Sequence, residues 1–319
     1  MIVMKKSYIA AAVIALIIIA VAASIMMNVK AKPYTVDGNG IVKFAPRPAA
    51  NFTISAYNDT EIATIYKVKF WSVDRNIYGL LSIPKSIQAD CTTFILLPAN
   101  SIPKESEQSW LGIDLNKRGY CALSLDQRGI GETGEVFLNA EHELSLFKGG
   151  EMPEQYKMFY DALAAFDVLS SGASSAGSGD SNSNALGAIA AIDKSSIYMA
   201  GESMGGRVAI VAGAMEPKLA GVMAVSTGGY GKMEESDYAT QLYVHSIDPD
   251  MYVPGISPHR FLMLHSSGDK IVNVAVGTRT FQYAIEPKKL IVDSGTDHGY
   301  YRQEKVASLN EGLPWLLGQ

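Results

Sequence analysis

The chain has none of the sequence features that recruit nucleic acid, metal ions or phosphorylated cofactors. Its 27 basic side chains are outnumbered by 32 acidic ones, and no basic stripe interleaves with aromatic residues, which argues against nucleic-acid binding. Cys, His, Asp and Glu do not occur at metal-ligand spacing, and neither a phosphate-binding loop nor a dinucleotide fingerprint is present. We therefore expect no metal, no cofactor and no nucleic-acid partner; the oligomeric state is left open.

Cysteine is scarce, with only Cys91 and Cys121 in 319 residues. Each lies near the start of a predicted strand, and the two strands are expected to be parallel neighbours. A disulfide can therefore form in an oxidising compartment, whereas in a reducing one both residues would be buried free thiols. The sequence leaves both alternatives open.

Charge is absent from residues 7–29, which follow Lys5 and Lys6. As a helix this run would span about 34 Å, enough to cross a bilayer. A cleavable signal peptide is the alternative, because residues 22–24 resemble a cleavage site, but its apolar core is usually only about 7–15 residues long. We expect residues 1–29 to be an uncleaved membrane anchor with the rest of the chain outside the cytoplasm. If the segment is cleaved, the protein is secreted.

Residues 30–50 are rich in Pro, Gly and Lys without hydrophobic periodicity, and we interpret them as a linker. One catalytic domain is predicted to fill residues 51–319. It opens with extended segments at 52–57, 64–72 and 77–83, whose β-branched and aromatic residues are typical of antiparallel strands.

From residue 93 onward, short apolar strands alternate with helical stretches. Strands are predicted at 93–97, 122–125, 197–200, 221–226, 261–265 and 290–292, and helices at 105–117, 151–169, 203–215, 274–284 and 303–317. This rhythm predicts an α/β fold, in which a mostly parallel twisted sheet carries helices on both faces and follows an N-terminal transmembrane helix. The Ser/Gly/Asn-rich tract 170–184 is predicted to be a flexible loop. Reactive groups in such sheets lie beyond the carboxyl ends of the strands.

One of these strand ends carries the sequence Gly201-Glu202-Ser203-Met204-Gly205-Gly206. A nucleophilic serine between a strand and a helix is forced into a strained turn, so its neighbours two positions away must be small. Ser203 is therefore the predicted nucleophile. The Met204 N–H, at the helix N-terminus, is a predicted oxyanion donor. A glycine-rich turn without chemistry is the alternative, and the Glu202 side chain is equally compatible with the site and with the surface.

The next two strand ends supply a carboxylate and an imidazole. Asp269 follows strand 261–265, and His298 follows strand 290–292. A histidine that is neutral near pH 7 can accept the serine proton, and a carboxylate can orient its ring. His265 is the rival base, but it precedes the acid in the chain. Asp293 and Asp297 are rival acids, although both are too close to His298 along the chain to be its usual partner.

Four stretches in this order resemble the α/β-hydrolase family, in its compact form related to dienelactone hydrolases and serine esterases or peptidases. They are residues 126–131 (DQRGIG), 201–206 (GESMGG), 268–272 (GDKIV) and 297–299 (DHG). The resemblance implies Ser203 as nucleophile, His298 as general base and then acid, and Asp269 as its orienting carboxylate. Asp126 and Arg128 are expected to form a buried structural network rather than to act in catalysis.

The sequence departs from the family at the strand end 93–97, where His-Gly usually supplies the second oxyanion donor. Pro98-Ala99-Asn100 stands there instead, and Pro98 has no N–H, so the donor is predicted to be Asn100. The chain is thus expected to be a serine hydrolase that cleaves a small-molecule or peptide ester, thioester or amide, most simply a carboxylic ester. A membrane-tethered serine peptidase and a non-catalytic binding module on the same fold are the alternatives.

Overall fold

The structure is a computed structural model that describes residues 33–87, 89–134, 136, 138–172, 183–231, 236–300 and 305–319. Within these ranges no helix has both the length and the apolar character needed to cross a membrane. The predicted anchor, residues 1–29, lies outside them, and so does most of the Ser/Gly/Asn-rich tract. The membrane anchor therefore stays a prediction.

Two sheets are formed by strands that cover most of the predicted extended segments. In chain order the strands are β1 (Tyr34–Val36), β2 (Val42–Phe44), β3 (Phe52–Asp59), β4 (Ala63–Ser72), β5 (Arg75–Pro84), β6 (Cys91–Leu97), β7 (Cys121–Leu125), β8 (Ile192–Glu202), β9 (Gly221–Val225), β10 (Arg260–Ser266) and β11 (Lys288–Asp293). The large sheet has the order β11-β10-β9-β8-β6-β7-β5-β4-β3. Neighbours from β11 to β7 are parallel, while β5, β4 and β3 are antiparallel, as predicted.

Helices connect these strands and cover the large sheet. They are α1 (Lys104–Glu107), α2 (Ile113–Lys117), α3 (Ala140–Gly149), α4 (Glu154–Ser171), α5 (Ser183–Ala190), α6 (Met204–Met215), α7 (Tyr238–Ile247), α8 (Pro249–Tyr252), α9 (Val274–Tyr283) and α10 (Val306–Leu317). A π-helical turn, Gln108–Gly112, joins α1 to α2, and single 3₁₀ turns occupy Gly131–Thr133 and Val253–Ile256. Helices α3, α5, α7 and α8 were not predicted from the sequence, and α5 begins within the tract that was predicted to be a flexible loop.

Both faces of the central strands are buried, which explains their unbroken apolar sequences. Along β6, Ile95 and Leu97 belong to the core beneath α4 and α6, whereas Phe94 and Leu96 belong to the core beneath α2 and α10. Successive side chains of a strand point to opposite faces, so a single strand contributes to both cores. The predicted sheet with helices on both faces is confirmed.

The two cysteines form a disulfide that joins β6 to β7 at their amino ends. Cys91 and Cys121 are fully buried, with their Cα atoms 6.0 Å apart. Of the two alternatives that the sequence left open, the structure has the disulfide. Because it lies at the amino ends of parallel strands, it is at the opposite edge of the sheet from the predicted site.

The described part of the predicted linker, from residue 33 to residue 50, packs onto the domain. It contains the antiparallel pair β1–β2, with Tyr34 and Val42 buried. The Tyr34 ring packs edge-on against Tyr156 of α4, at a centroid distance of 5.1 Å. Arg47 forms ion pairs with carboxylates of α4 and of the segment after α6. The two strands are only three residues long, which is too short for the periodicity of a strand to be detected in sequence.

Candidate active site

The carboxyl ends of four parallel strands bring the predicted residues to one edge of the sheet. Ser203 follows β8, Asp269 lies in the loop after β10, and His298 lies in the loop after β11. Asn100 follows β6, whose last residue pairs in register with Gly201. The predicted position of the site, beyond the carboxyl ends of the strands, is thus where the structure places all four residues.

Ser203 occupies a strained turn between β8 and α6. Its φ of 52° and ψ of −113° lie outside the regions that a serine readily adopts. A Cβ on Gly201 would lie 2.2 Å from the Gly205 oxygen, and a Cβ on Gly205 would lie 2.0 Å from the Leu97 oxygen. Only glycine fits at these two positions, because the backbones on both sides of the serine pass so close to each other. The predicted nucleophile turn is therefore present in the backbone.

Hydrogen bonds hold this turn against the next strand. The Ser203 N–H donates to the Val225 oxygen at 2.9 Å, and the Thr227 hydroxyl donates to the Ser203 oxygen at 2.6 Å. Met204 is the first residue of α6, so its N–H has no acceptor within the helix. The N-terminus of a helix carries partial positive charge, which favours a developing oxyanion there.

Asp269 and His298 form a hydrogen-bonded pair. The His298 Nδ1 lies 2.9 Å from the Asp269 Oδ2, and the Asp269 Oδ1 accepts hydrogen bonds from the backbone N–H groups of Ile271 and Val272. Burial alone would raise the pKa of Asp269, but the hydrogen bonds from His298 and from the two N–H groups outweigh it and hold the pKa below its usual value. Asp269 is therefore ionised near neutral pH and can orient the imidazole.

The structure does not join the imidazole to the serine. Among the described residues, no hydrogen bond links the Ser203 hydroxyl to the His298 ring, whose side chain is 20% exposed. Hydrogen bonds between nucleophile and base are often long without substrate and tighten when it binds. The acid and the base are thus assembled, whereas the contact between base and nucleophile stays a prediction.

Ser203 opens into a cavity of about 640 Å³, within the size range of small-molecule sites. Asn100 and Met204 line the same cavity, so both predicted oxyanion donors lie near the serine. Much of the wall is apolar and comes from α3, α7 and the loop after β10: Leu138, Leu144, Val244, Ile247, Ile271 and Val272. The sequence did not reveal this wall, because α3 and α7 were not recognised as helices.

Glu202, whose position the sequence left open, points into the protein interior. It is 3% exposed, and its Oε2 accepts a hydrogen bond from the Tyr300 N–H at 2.8 Å. Its Oε1 and both carboxyl oxygens of the buried Glu107 lack a hydrogen-bond partner in the described part of the chain. Burial raises the pKa of Glu202 to about 7, and burial together with the charge of Glu202 raises the pKa of Glu107.

The rival candidates occupy structural positions. His265 is fully buried, with its Nε2 2.8 Å from the Val272 oxygen, and burial lowers its pKa. Its Nε2 is also 3.7 Å from the Asp269 Oδ2, longer than the 2.9 Å to His298. Asp126 and Arg128 form the expected buried network: Asp126 binds Lys104, and Arg128 binds three carboxylates, those of Asp74, Glu154 and Asp161.

Comparison with solved structures identifies the architecture. An acetyl xylan esterase from Paenibacillus sp. R4 superposes with a TM-score of 0.63 at 15% identity, over 82% of this chain and 87% of the other. Acetyl xylan esterase 1 from Thermoanaerobacterium sp. JW/SL YS485 gives 0.61 at 14% identity, over 82% and 86%. The chain has the α/β-hydrolase fold. A putative dienelactone hydrolase from Klebsiella pneumoniae agrees, with a TM-score of 0.56 at 17% identity, over 81% of this chain and 99% of the other.

No protein-family model matches the chain, and no curated protein does. At the identities of the three solved structures, the likeness establishes the fold alone. The resemblance inferred from the four sequence motifs is confirmed at that level. The chemistry has to be inferred from the site.

Proposed function

We propose that the protein is a serine hydrolase that cleaves a carboxylic ester, with Ser203 as nucleophile, His298 as base and Asp269 as the orienting acid. The Asp269–His298 hydrogen bond carries the proposal, because it lies at the same sheet edge as the strained Ser203 turn. The similar solved structures include two acetyl xylan esterases, which supports an esterase over other hydrolases.

The proposed mechanism follows from the tautomer that Asp269 selects. With the proton of His298 on Nδ1, shared with Asp269, the Nε2 is left as the basic nitrogen. It accepts the Ser203 proton while the hydroxyl oxygen attacks the ester carbonyl. The imidazolium then returns that proton to the leaving alcohol, and the acyl group stays on Ser203. Water, deprotonated by the same nitrogen, releases the acid and restores the serine.

The Met204 N–H and a donor on Asn100 are proposed to bind the oxyanion of the tetrahedral intermediate. Both residues line the Ser203 cavity. A hydrogen bond fixes the loop that contains Asn100, because the Pro98 carbonyl oxygen accepts from the side-chain amide of Gln127. A donor that is fixed before the reaction stabilises the developing charge without reorganisation.

We also propose that residues 1–29 anchor the enzyme in a membrane with the domain outside the cytoplasm. The uncharged run 7–29 supports the anchor, and the buried Cys91–Cys121 disulfide supports an oxidising compartment. Membrane fractionation of the full chain with N-terminal sequencing tests this proposal. A mature protein that begins after Ser24 and is free of membranes would show a cleaved signal peptide instead.

Hydrolysis of p-nitrophenyl acetate and of an aminoacyl p-nitroanilide tests the activity. We expect the wild type to cleave the ester and Ser203→Ala to lose at least about 10³-fold in kcat. Ser267→Ala is the matched control, because Ser267 is an exposed serine that follows β10, another parallel strand of the same sheet. If the anilide is cleaved and the ester is not, the protein is a peptidase and not an esterase. Hydrolysis that remains in Ser203→Ala would overturn the proposal.

A further inference from the structure

The cavity that contains Ser203 also contains a guanidinium group. Arg207 lies one helical turn after Ser203, near the start of α6. Its backbone N–H donates a hydrogen bond to the backbone carbonyl oxygen of Ser203 at 3.2 Å. Side chains four residues apart on a helix lie on the same face. Accordingly, Ser203 and Arg207 both line the 640 Å³ cavity.

Two contacts fix the orientation of this guanidinium. The Arg207 Nε donates to the Gly228 oxygen at 2.9 Å, and the centre of the group lies 4.3 Å from the centre of the Tyr230 ring. Neither contact uses a hydrogen of the two Nη atoms. Within the described ranges no acceptor is found for those hydrogens, so the planar edge that normally binds a carboxylate is available.

Several other arginines of the domain, among them Arg47 and Arg128, form ion pairs with carboxylates. Arg279, which donates to the adjacent Gly229 oxygen, also binds the carboxylate of Asp250 at 3.0 Å. For Arg207, in contrast, no carboxylate among the described residues forms an ion pair. In the part of the chain that the structure describes, the positive charge of Arg207 at the wall of the cavity thus has no carboxylate partner.

The acidic side chain of the cavity wall is directed elsewhere. Glu143 is buried, and its two carboxyl oxygens accept hydrogen bonds from the N–H groups of Glu154 and Gln155 at the start of α4. A carboxylate at a helix N-terminus is stabilised by the partial positive charge there. Both Glu143 oxygens are therefore already engaged by backbone donors, although burial still raises the pKa of this carboxyl, and no carboxylate among the described residues pairs with Arg207.

We propose that Arg207 binds a carboxylate of the substrate, so that the preferred esters carry an anionic group beside the ester that Ser203 attacks. This inference rests on the proposed function, since it names the substrate class of the same site. A guanidinium binds a carboxylate through two parallel hydrogen bonds, a geometry that an ammonium group cannot reproduce. The Tyr230 ring packs against the guanidinium and limits its rotation, and both residues line the cavity.

Two pairs of substrates test the proposal and identify which half of the ester carries the charge. On the acyl side, p-nitrophenyl hemisuccinate is compared with the p-nitrophenyl ester of succinamic acid, in which a neutral amide replaces the carboxylate. On the alcohol side, 4-acetoxybenzoate is compared with 4-acetoxybenzamide. We expect kcat/KM to favour the anionic member of at least one pair by about 10- to 100-fold, the range of one charged hydrogen-bonded contact.

Arg207→Met should reduce that ratio to near 1, and Arg207→Lys should restore it only in part. Arg260→Met is the matched control: Arg260 also packs on an aromatic ring, that of Trp315, but it lies at the opposite end of the sheet, at the start of β10. It should leave the ratio unchanged. No anionic preference in either pair, or a preference that persists in Arg207→Met, overturns the proposal.

A binding measurement separates this inference from the proposed activity. Monomethyl glutarate is titrated calorimetrically into Ser203→Ala protein, with and without Arg207→Met, so that no turnover is needed. We expect Arg207→Met to weaken binding by about 10-fold or more. Equal binding to both proteins overturns the carboxylate site even if esters are hydrolysed. Failure of ester hydrolysis alone overturns the proposed function and leaves the binding result to decide on Arg207.

Discussion

Asp269 and Glu202 are two carboxyl groups at the same edge of the sheet, and each is 3% exposed. Their pKa values nevertheless move in opposite directions. Asp269 accepts three hydrogen bonds, and these hold its pKa below the usual value despite burial. Glu202 accepts one, from the Tyr300 N–H, and burial raises its pKa to about 7. Burial alone therefore does not decide the charge of a carboxyl group; the donors around it do.

This difference suits the two positions. In the proposed mechanism, an ionised Asp269 would stabilise the imidazolium that His298 becomes when it accepts the serine proton. An ionised Glu202, one residue before Ser203, would oppose the negative charge that develops on the oxyanion. Below about pH 7 the neutral form of Glu202 predominates, and it holds the loop of His298 through the Tyr300 N–H without adding charge to the site.

The largest expected effect comes from removing the charge of the first carboxyl. Asp269→Asn should lower kcat for p-nitrophenyl acetate by about 10⁴-fold, as for the acid of other Ser-His-Asp sets, because an amide neither selects the tautomer nor stabilises the imidazolium. Asp293→Asn is the control, since Asp293 lies at the end of the adjacent strand β11 and binds the Gly295 N–H. Equal losses in both variants would contradict the role given to Asp269.

The second prediction concerns the carboxyl group of Glu202. Glu202 titrates near its ordinary pKa of 4.5 in the unfolded chain and near 7 in the folded one. The folded state thus binds more protons between these values, so the free energy of unfolding falls as pH rises through this window, by about 3 kcal/mol. Glu202→Gln should remove the part of this pH dependence that Glu202 contributes, leaving that of Glu107, and should be more stable than wild type at pH 8. Urea unfolding of wild type and Glu202→Gln at pH 4.5 and pH 8 measures this pH dependence. The same change in unfolding free energy in both proteins would refute the prediction.

Gly299→Ala tests whether the loop that contacts Glu202 also positions the imidazole of His298. Gly299 has a φ of +78°, and a Cβ there would lie 2.6 Å from the Glu202 Oε2. We expect a loss of about 1–3 kcal/mol in unfolding free energy, together with a lower kcat, because the strain falls beside His298. Gly318→Ala is the control, since Gly318 has the same φ at the end of α10. A loss of stability without a lower kcat in Gly299→Ala would separate the loop from catalysis.

The smallest effect is the pH dependence of Asp269 itself, which should have the opposite sign. Its pKa is lowered by folding, so its contribution to stability is present above the unfolded pKa and is lost as pH falls through the folded pKa. The stability difference between wild type and Asp269→Asn, about 1 kcal/mol at pH 7, should therefore vanish in acid. A difference that grows in acid would mean that Asp269 is protonated in the folded protein.

The positions of Ser203, Asp269 and His298 could be predicted because each follows a short apolar strand and is marked by nearby glycines. Parallel strands place such residues at one edge whatever the details of packing. The nucleophile turn was predictable for a similar reason, since the close backbone approach at Gly201 and Gly205 requires glycine and leaves a signal in the sequence.

The state of Glu202 could not be predicted, because it depends on Tyr300 and Glu107, which are distant in the chain and leave no local pattern. The cavity wall was missed for another reason: it is formed by α3 and α7, which were not predicted, and by their tertiary packing with the loop after β10. The β1–β2 pair was missed because three-residue strands have almost no periodicity. Pairing of Cys91 with Cys121 needed the register of β6 and β7, which sequence alone does not provide.

The identity of the nucleophile is tested most directly by covalent labelling. A fluorophosphonate probe is added to the wild type, to Ser203→Ala and to Asp269→Asn, and the labelled peptide is located by mass spectrometry. We expect a single adduct, on the peptide that contains Ser203. It should form quickly in wild type, far more slowly in Asp269→Asn and not at all in Ser203→Ala. Equal labelling of wild type and Ser203→Ala, or an adduct on another residue, would contradict it.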